Sequence, residues 1–321
     1  MKLKLTTLVL SAMLAVPAIA QEHTLVLASV GAPEAPESIG IKKMVEYITE
    51  TSDGRIAIQP QLSGALGGDR EMIEGVQLGT IDIALVGTAI IGNFDPAVQI
   101  FDIPFLFKDL DHASRVLSGP IGSKFMEGFE EHGFIGLSFG GLGFRELTNS
   151  VRPVKTLDDL KGLKLRTMET PIDMEAWQML GALPTPMSIT EVYTALQQGV
   201  VDGQENPINA ILGNKFDEVQ KHISMTNHKY TPVSLIIAPS TFSGLSADDQ
   251  KIVTDGAKLM MKVTEDEVRK VSQNGAEILE ANGLTVTYDV EIESFQEALK
   301  PLYAKLGERF GQEQIDEIIN Y

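Results

Sequence analysis

The chain has 321 residues, 43% of them hydrophobic, with 26 Lys and Arg against 44 Asp and Glu, a formal net charge of −18. Such acidity repels nucleic acid and anionic lipid, so any anion site must be a local cluster of Arg. There is no Cys, which excludes a thiol nucleophile, a thiolate metal site, a disulfide framework and a lipid tether through cysteine.

Lys2 and Lys4 precede an apolar run from Leu5 to Ala20 that closes on Ala18-Ile19-Ala20. This is the plan of a secretory leader, residues 1–20, cleaved before Gln21. An uncleaved N-terminal anchor is the alternative, but the run is short for a membrane span. The remaining length suffices for two domains.

From Thr24 to Ser29 the chain reads as an apolar strand, then passes a Gly-Pro-rich loop, Gly31 to Pro36, into a helix carrying Ile39, Ile41, Met44, Val45 and Ile48. A strand from Arg55 to Gln59 completes a β-α-β opening, which favours a parallel sheet. A Gly-rich loop, Ser63 to Gly68, leads to a helix from Asp69 to Gly79, and a strand from Ile81 to Val86 runs into Gly87 and Thr88. Phe101 to Phe107 reads as a further strand-helix alternation. Helices follow near Asp111 to Leu117 and Ser123 to Glu131, then a strand from Phe134 to Phe139.

The run Gly140-Gly141-Leu142-Gly143 suits a crossover between domains. Beyond it come strands from Phe144 to Thr148 and Leu163 to Arg166, a helix from Pro171 to Leu180, and a helix opened by a capping box of Ser188 and Glu191. A strand from Val200 to Gln204 meets Pro207, which suits a helix's first turn. Thr231 to Pro239 reads as a strand returning to the first domain. Ser246 with Asp249 caps a pattern that stays helical to about Asn282, either one helix spanning both domains or two joined by a kink.

Several catalytic arrangements are absent. The five His stand at 23, 112, 132, 222 and 228 with no H-E-x-x-H pair, and no G-x-S-x-G elbow or P-loop occurs. The informative groups sit at strand ends. Arg166 closes the strand Leu163-Lys164-Leu165-Arg166, where a guanidinium offers a carboxylate two parallel charge-assisted hydrogen bonds; the alternative is pairing with a local acid, Glu169 or Asp173. Arg145 follows Gly143-Phe144 at the crossover. Asn206 offers a donor and an acceptor, or caps the helix opened by Pro207. Asp69, Arg70 and Glu71 either cap their helix or line a cleft.

These motifs carry a family resemblance. D-G-R-I from Asp53, L-G-G-D-R-E from Leu66, G-T-I-D-I-A from Gly79, F-D-I-P-F-L-F from Phe101, G-F-R-E-L-T-N from Gly143, D-L-K-G-L-K-L-R from Asp159 and E-V-Y-T-A-L-Q-Q-G-V-V-D-G-Q-E-N-P from Glu191 resemble the extracytoplasmic solute receptors, of the DctP type, of tripartite ATP-independent periplasmic (TRAP) transporters. The resemblance covers essentially the whole mature length. It implies an α/β, type II-like periplasmic binding protein with two domains around a cleft and a long domain-spanning helix. The domains it implies are residues 21–142 with 231–270, and 143–230 with 271–321.

The resemblance further implies that Arg166 binds a ligand carboxylate, that Arg145 is a second positive group and that Asn206 completes the anchor. Asp69, Arg70, Glu169 and Thr88 are then placed to bond ligand hydroxyls. Receptors for ectoine-like zwitterions are expected to carry aromatic residues near the ligand ring, and Lys164 and Leu165 are not aromatic; sialic-acid receptors often carry one where Ile189 stands. The expected ligand is therefore a sugar acid such as a uronate or aldonate, with a C4-dicarboxylate or other monocarboxylate second. No cofactor or metal is expected, and no nucleic acid or membrane insertion of the mature chain. The expected partner is a membrane permease of small and large subunits, reached from the periplasm. A periplasmic sugar-acid enzyme and a sensory receptor are the rival classes.

Overall fold

The computed structural model describes residues 22–321, so the expected leader lies outside the described residues. In chain order β1 (His23–Ser29), α1 (Pro36–Thr51), β2 (Ile56–Gln61), α2 (Asp69–Leu78), β3 (Ile83–Gly87) and α3 (Thr88–Ile91) form the opening. A 3-10 segment Pro96–Asp102, α4 (Leu110–Ser118) and α5 (Pro120–Glu127) lead to the long strand β4 (Ile135–Asn149). Next come α6 (Leu157–Leu160), β5 (Lys164–Thr167), α7 (Pro171–Met179), β6 (Leu183–Pro186), α8 (Ile189–Gln197), β7 (Gly203–Pro207), α9 (Ile208–Gly213) and β8 (His222–Ser224). The chain ends with β9 (Tyr230–Ile237), α10 (Pro239–Gly244), α11 (Ala247–Ala281), β10 (Thr285–Thr287), α12 (Ile292–Ala298), α13 (Lys300–Phe310) and α14 (Gln312–Asn320).

The β-α-β opening is parallel, with β1 between β2 and β3. Each parallel neighbour needs a crossover helix, and the apolar residues of α1 at helical spacing, Ile41, Met44 and Ile48, are buried against the sheet. The strand order is β2-β1-β3-β9-β4-β7-β5-β6. Its two halves form two lobes that share β4. Ile135 to Gly141 pair with β9, whereas Arg145 to Asn149 pair with β7. Between them the β4 register slips from Gly141 to Phe144. Gly143 takes φ 101° there, a conformation with little cost only for glycine. The two expected strands flanking Gly140–Gly143 are thus one continuous strand, because this bulge bends the ladder without ending it.

A second connection is α11, a single helix of 35 residues and so about 50 Å long at 1.5 Å per residue. Ser246 Oγ accepts from the Asp249 amide at 3.2 Å, as the capping pattern predicts. Val253, Ala257 and Met260 share a core with α1, while Leu279 shares one with Val192 and Ile211 of the other lobe. The helix therefore touches both lobes, and the kinked pair does not form.

Three other expectations are corrected. Phe101 to Phe107 contains no strand: Pro104 cannot donate to a ladder, and Phe101 instead lies edge-on against Phe125 and Phe139. Ser188 precedes α8, but its hydroxyl meets Thr190 Oγ1 at 3.1 Å rather than capping the helix. Asn206 lies within β7, and its amide nitrogen donates to Gln204 Oε1 at 2.5 Å instead of serving as a cap. The strand β6 went unread because Pro184 and Pro186 oppose strand pairing, which the sheet tolerates at its edge. Among the described residues no helix is long and apolar enough to cross a membrane.

Candidate ligand-binding site

A cavity of about 100 Å³ lies where the lobes meet. In each lobe parallel strands end toward it, so the residues just past them and at the following helix starts form the walls. The β1–β3 lobe contributes Ser29, Gly31, Glu37, Asp69 and Gly87; the β5–β7 lobe contributes Arg166, Glu169 and Asn206, with Arg145 from the shared strand β4. The lobes also touch directly, since Asn93 Nδ2 donates to the Glu169 carbonyl at 3.0 Å.

Arg166 is 3% exposed. Its Nε and Nη2 both donate to the Met187 carbonyl, at 3.0 and 2.7 Å, which orients the guanidinium plane. Its Nη1 is buried without a hydrogen-bond partner. Neither local acid takes it: Asp173 bonds Lys229 Nζ at 2.5 Å. Burial pushes the guanidinium down to about 10, with Glu205 opposing the shift and Arg145 reinforcing it. A buried donor of a cation left unbonded costs free energy unless something else supplies the acceptor.

Arg145 is in a different state. Its Nε and Nη2 meet the two carboxylate oxygens of Glu205, Nη2 to Oε1 at 2.8 Å, and Nη1 donates to Thr231 Oγ1 at 3.0 Å. Burial drives Arg145 down, but Glu205, joined by Asp173 and Asp102, more than offsets it, so the net shift is upward. Burial likewise opposes ionisation of Glu205, but Arg145 and His228 hold its carboxyl well below the usual range. His228 Nε2 lies 3.0 Å from Glu205 Oε2 and its Nδ1 2.8 Å from Thr226 Oγ1.

Asp69 accepts from the Gly87 amide through Oδ2 at 3.1 Å, while its Oδ1 is buried and unbonded. Burial raises its carboxyl to about 6, with the Gly87 amide opposing. Two of the expected site residues stand outside the cavity lining. Thr88 donates to the Pro232 carbonyl at 3.3 Å, and Arg70 is exposed with its guanidinium 5.9 Å from the Phe94 ring.

Sequence reasoning missed Glu205, His228 and Glu37. Glu205 sits beside Asn206 in the Q-E-N-P motif, a signal that was available; Glu37 looks like an ordinary first-turn acid complementing a helix dipole. Among the described residues no group of three or more His, Asp and Glu could hold a metal ion.

Residues 27–309 match the family described as bacterial extracellular solute-binding protein, family 7, or DctP. The chain belongs to this DctP family of TRAP solute-binding proteins. This TRAP receptor is 41% identical to a TRAP periplasmic solute-binding protein from Polaromonas sp. JS666 bound to D-erythronate, with a TM-score of 0.91 over 93% of this chain and 98% of that one. It is 40% identical to one from Bordetella bronchiseptica whose bound density is described as pantoate, with a TM-score of 0.90 over 92% and 98%. The 2,3-diketo-L-gulonate-binding periplasmic protein YiaO of Escherichia coli K12 is 35% identical over 82% of this chain and 80% of its own length. The two-lobed α/β architecture expected from the sequence is the architecture of this family. Its members are extracytoplasmic receptors for small solutes that serve TRAP permeases.

Proposed function

We propose that this TRAP receptor binds a short hydroxylated monocarboxylate, a sugar acid of the aldonate type, by pairing its carboxylate with Arg166. The observation that carries this reading is the contrast between the two arginines. Arg166 holds an unbonded N–H at the cavity, whereas Arg145 is spent on Glu205 and Thr231. A C4-dicarboxylate needs a second available cation, and Arg145 is already neutralised. Asn206 completes the carboxylate's surroundings, while Glu169 and the unbonded Asp69 Oδ1 await hydroxyl donors. The cavity's about 100 Å³ is small beside the ~300–1,000 Å³ of pockets for drug-sized ligands, which favours a short acid over a hexose derivative. The relatives bound to D-erythronate and pantoate hold acids with four-carbon main chains, in keeping with that size.

The mechanism is domain closure. The carboxylate binds on the lobe of Arg166 and hydroxyls meet the lobe of Asp69; water leaves, and the ion pair strengthens in the drier cleft. A ligand favours closure only through contacts to both lobes. The mature receptor, freed of residues 1–20, works in the periplasm and docks closed on a permease of small and large subunits. It releases its ligand unaltered, as a receptor and not an enzyme.

The test is a thermal-shift and calorimetry panel of D-erythronate, pantoate, D-galactonate, D-glucuronate, succinate and ectoine, with mass spectrometry of the recovered ligand. The expected result is the largest stabilisation by a short hydroxy acid, recovered unchanged. Preference for succinate replaces the sugar-acid reading with the dicarboxylate one, and a chemically altered ligand overturns the receptor reading.

A further inference from the structure

Glu37 faces the cavity from the first turn of α1, and the closure mechanism does not use it. It is 6% exposed, and its Oε2 is buried without a hydrogen-bond partner. The side chain lies over the backbone after β1, so closely that a Cβ on Gly31 would stand 2.6 Å from Oε1. An acid that served only the helix dipole would remain in water, where that interaction carries no desolvation cost. Here the carboxyl is desolvated with no cation bonded to it. Such a group persists where a ligand supplies the missing partner.

The cavity is also polarised. Its unbonded donor, Arg166 Nη1, belongs to the β5–β7 lobe, whereas its unbonded acceptors, Glu37 Oε2 and Asp69 Oδ1, belong to the opposite one. A bound acid anchored on Arg166 therefore points its other end at two carboxyls. We propose that Glu37 is a specificity-determining residue: its free Oε2 accepts a hydrogen bond from a hydroxyl at the ligand end remote from the carboxylate, and its charge turns away a second carboxylate there. This assignment rests on the sugar-acid reading and gives its selectivity a residue. Burial raises the Glu37 carboxyl to about 7, opposed only by its own backbone amide, in line with a site holding no cation for it.

The test measures the affinities of D-erythronate, 2-hydroxybutyrate and L-malate by calorimetry at about pH 8, where the Glu37 carboxyl is ionised, for the wild type, Glu37→Gln and Gly31→Ala. 2-Hydroxybutyrate lacks the remote hydroxyls, and L-malate carries a carboxylate in their place. The wild type is expected to prefer D-erythronate to both. In Glu37→Gln the preference for D-erythronate over L-malate falls at least tenfold, because the repelling charge is gone, while the preference over 2-hydroxybutyrate falls less, because the amide oxygen still accepts a hydrogen bond. Gly31→Ala displaces the same carboxyl without replacing it and lowers the same ratios, which keeps the test valid should Glu37→Gln fold poorly. Affinity ratios as in the wild type, or an equal loss for all three acids, overturn the role of Glu37 while leaving the sugar-acid reading intact. A wild type that takes up neither hydroxy acid overturns both.

Discussion

Arg145 of β4 and Glu205 of β7 form a two-pronged ion pair, 1% and 0% exposed, that consumes one of the two guanidinium groups at the cavity. Removing the charge of Glu205 would leave Arg145 buried and uncompensated. Glu205→Gln is expected to lower unfolding stability by about 3–5 kcal/mol, the scale for breaking a buried pair from one side. Urea denaturation of the ligand-free protein measures this, and a loss below about 1 kcal/mol would show that Thr231 and the Glu205 main-chain carbonyl, which accepts from Arg145 Nη2, are enough to satisfy Arg145.

Arg166 bears the opposite expectation. Its N–H groups bond one carbonyl and leave Nη1 free at the cavity, so Arg166→Ala removes a desolvated cation to which no carboxylate is hydrogen-bonded. Ligand affinity should fall by about 2–5 kcal/mol, while ligand-free stability stays level or rises. Calorimetry paired with denaturation separates the two, and undiminished binding removes Arg166 from the site.

Closure of the lobes has a steric signature. A Cβ on Gly68, at the start of α2, would stand 2.3 Å from Ser188 Oγ on the opposite lobe. Gly68 has φ −82°, which alanine also adopts, so Gly68→Ala should fold normally yet resist closure. Affinity is expected to drop by up to about tenfold, equivalent to ~1.4 kcal/mol, since rotation of the Ser188 hydroxyl relieves part of the clash, and Ser188→Gly in the same chain should restore it. Small-angle scattering should show less ligand-induced compaction in the single variant; compaction equal to that of the wild type would refute the contact.

Stability should depend on pH in a definite direction. Burial raises Glu37 to about 7 and Glu146 to about 8, from an ordinary 4.5. Above 4.5 the unfolded chain loses protons that the folded state keeps, so the stability these groups contribute is lost as pH rises through 7 and 8. His228, held below its ordinary 6.5 by burial, acts in the opposite sense only in the acidic range. Above about pH 6.5 the ligand-free protein should therefore lose up to about 1.4 kcal/mol per pH unit for each such carboxyl until Glu37 ionises near 7 and Glu146 near 8, and then level off. A melting temperature that holds or climbs over this window contradicts the assignment.

Much of the fold was legible because local rules govern it. The cap at Ser246 and the helical spacing through Ala281 required only near neighbours in sequence, as did β1 and α1. Phe101 to Phe107 failed for the converse reason: its apolar run fits a strand locally, but Pro104 and the Phe125 and Phe139 rings decide its path. The capping box at Ser188 failed because Thr190 offered the hydroxyl a competing partner.

By itself the sequence determined the family, the two-lobed α/β plan and the presence of arginine and acid residues at strand ends, since motifs, periodicity and capping are properties of neighbouring residues. Only the tertiary structure decided which of those charges remain available. Arg145 and Glu205 are separated by 60 positions and meet through the β4–β7 ladder. Arg166 is left with an open N–H because its nearby acids turn elsewhere, and Glu37 is stripped of water by the fold around Gly31. Hydrogen-bond satisfaction and desolvation depend on every group brought within a few ångströms, and spacing along a chain does not encode that set.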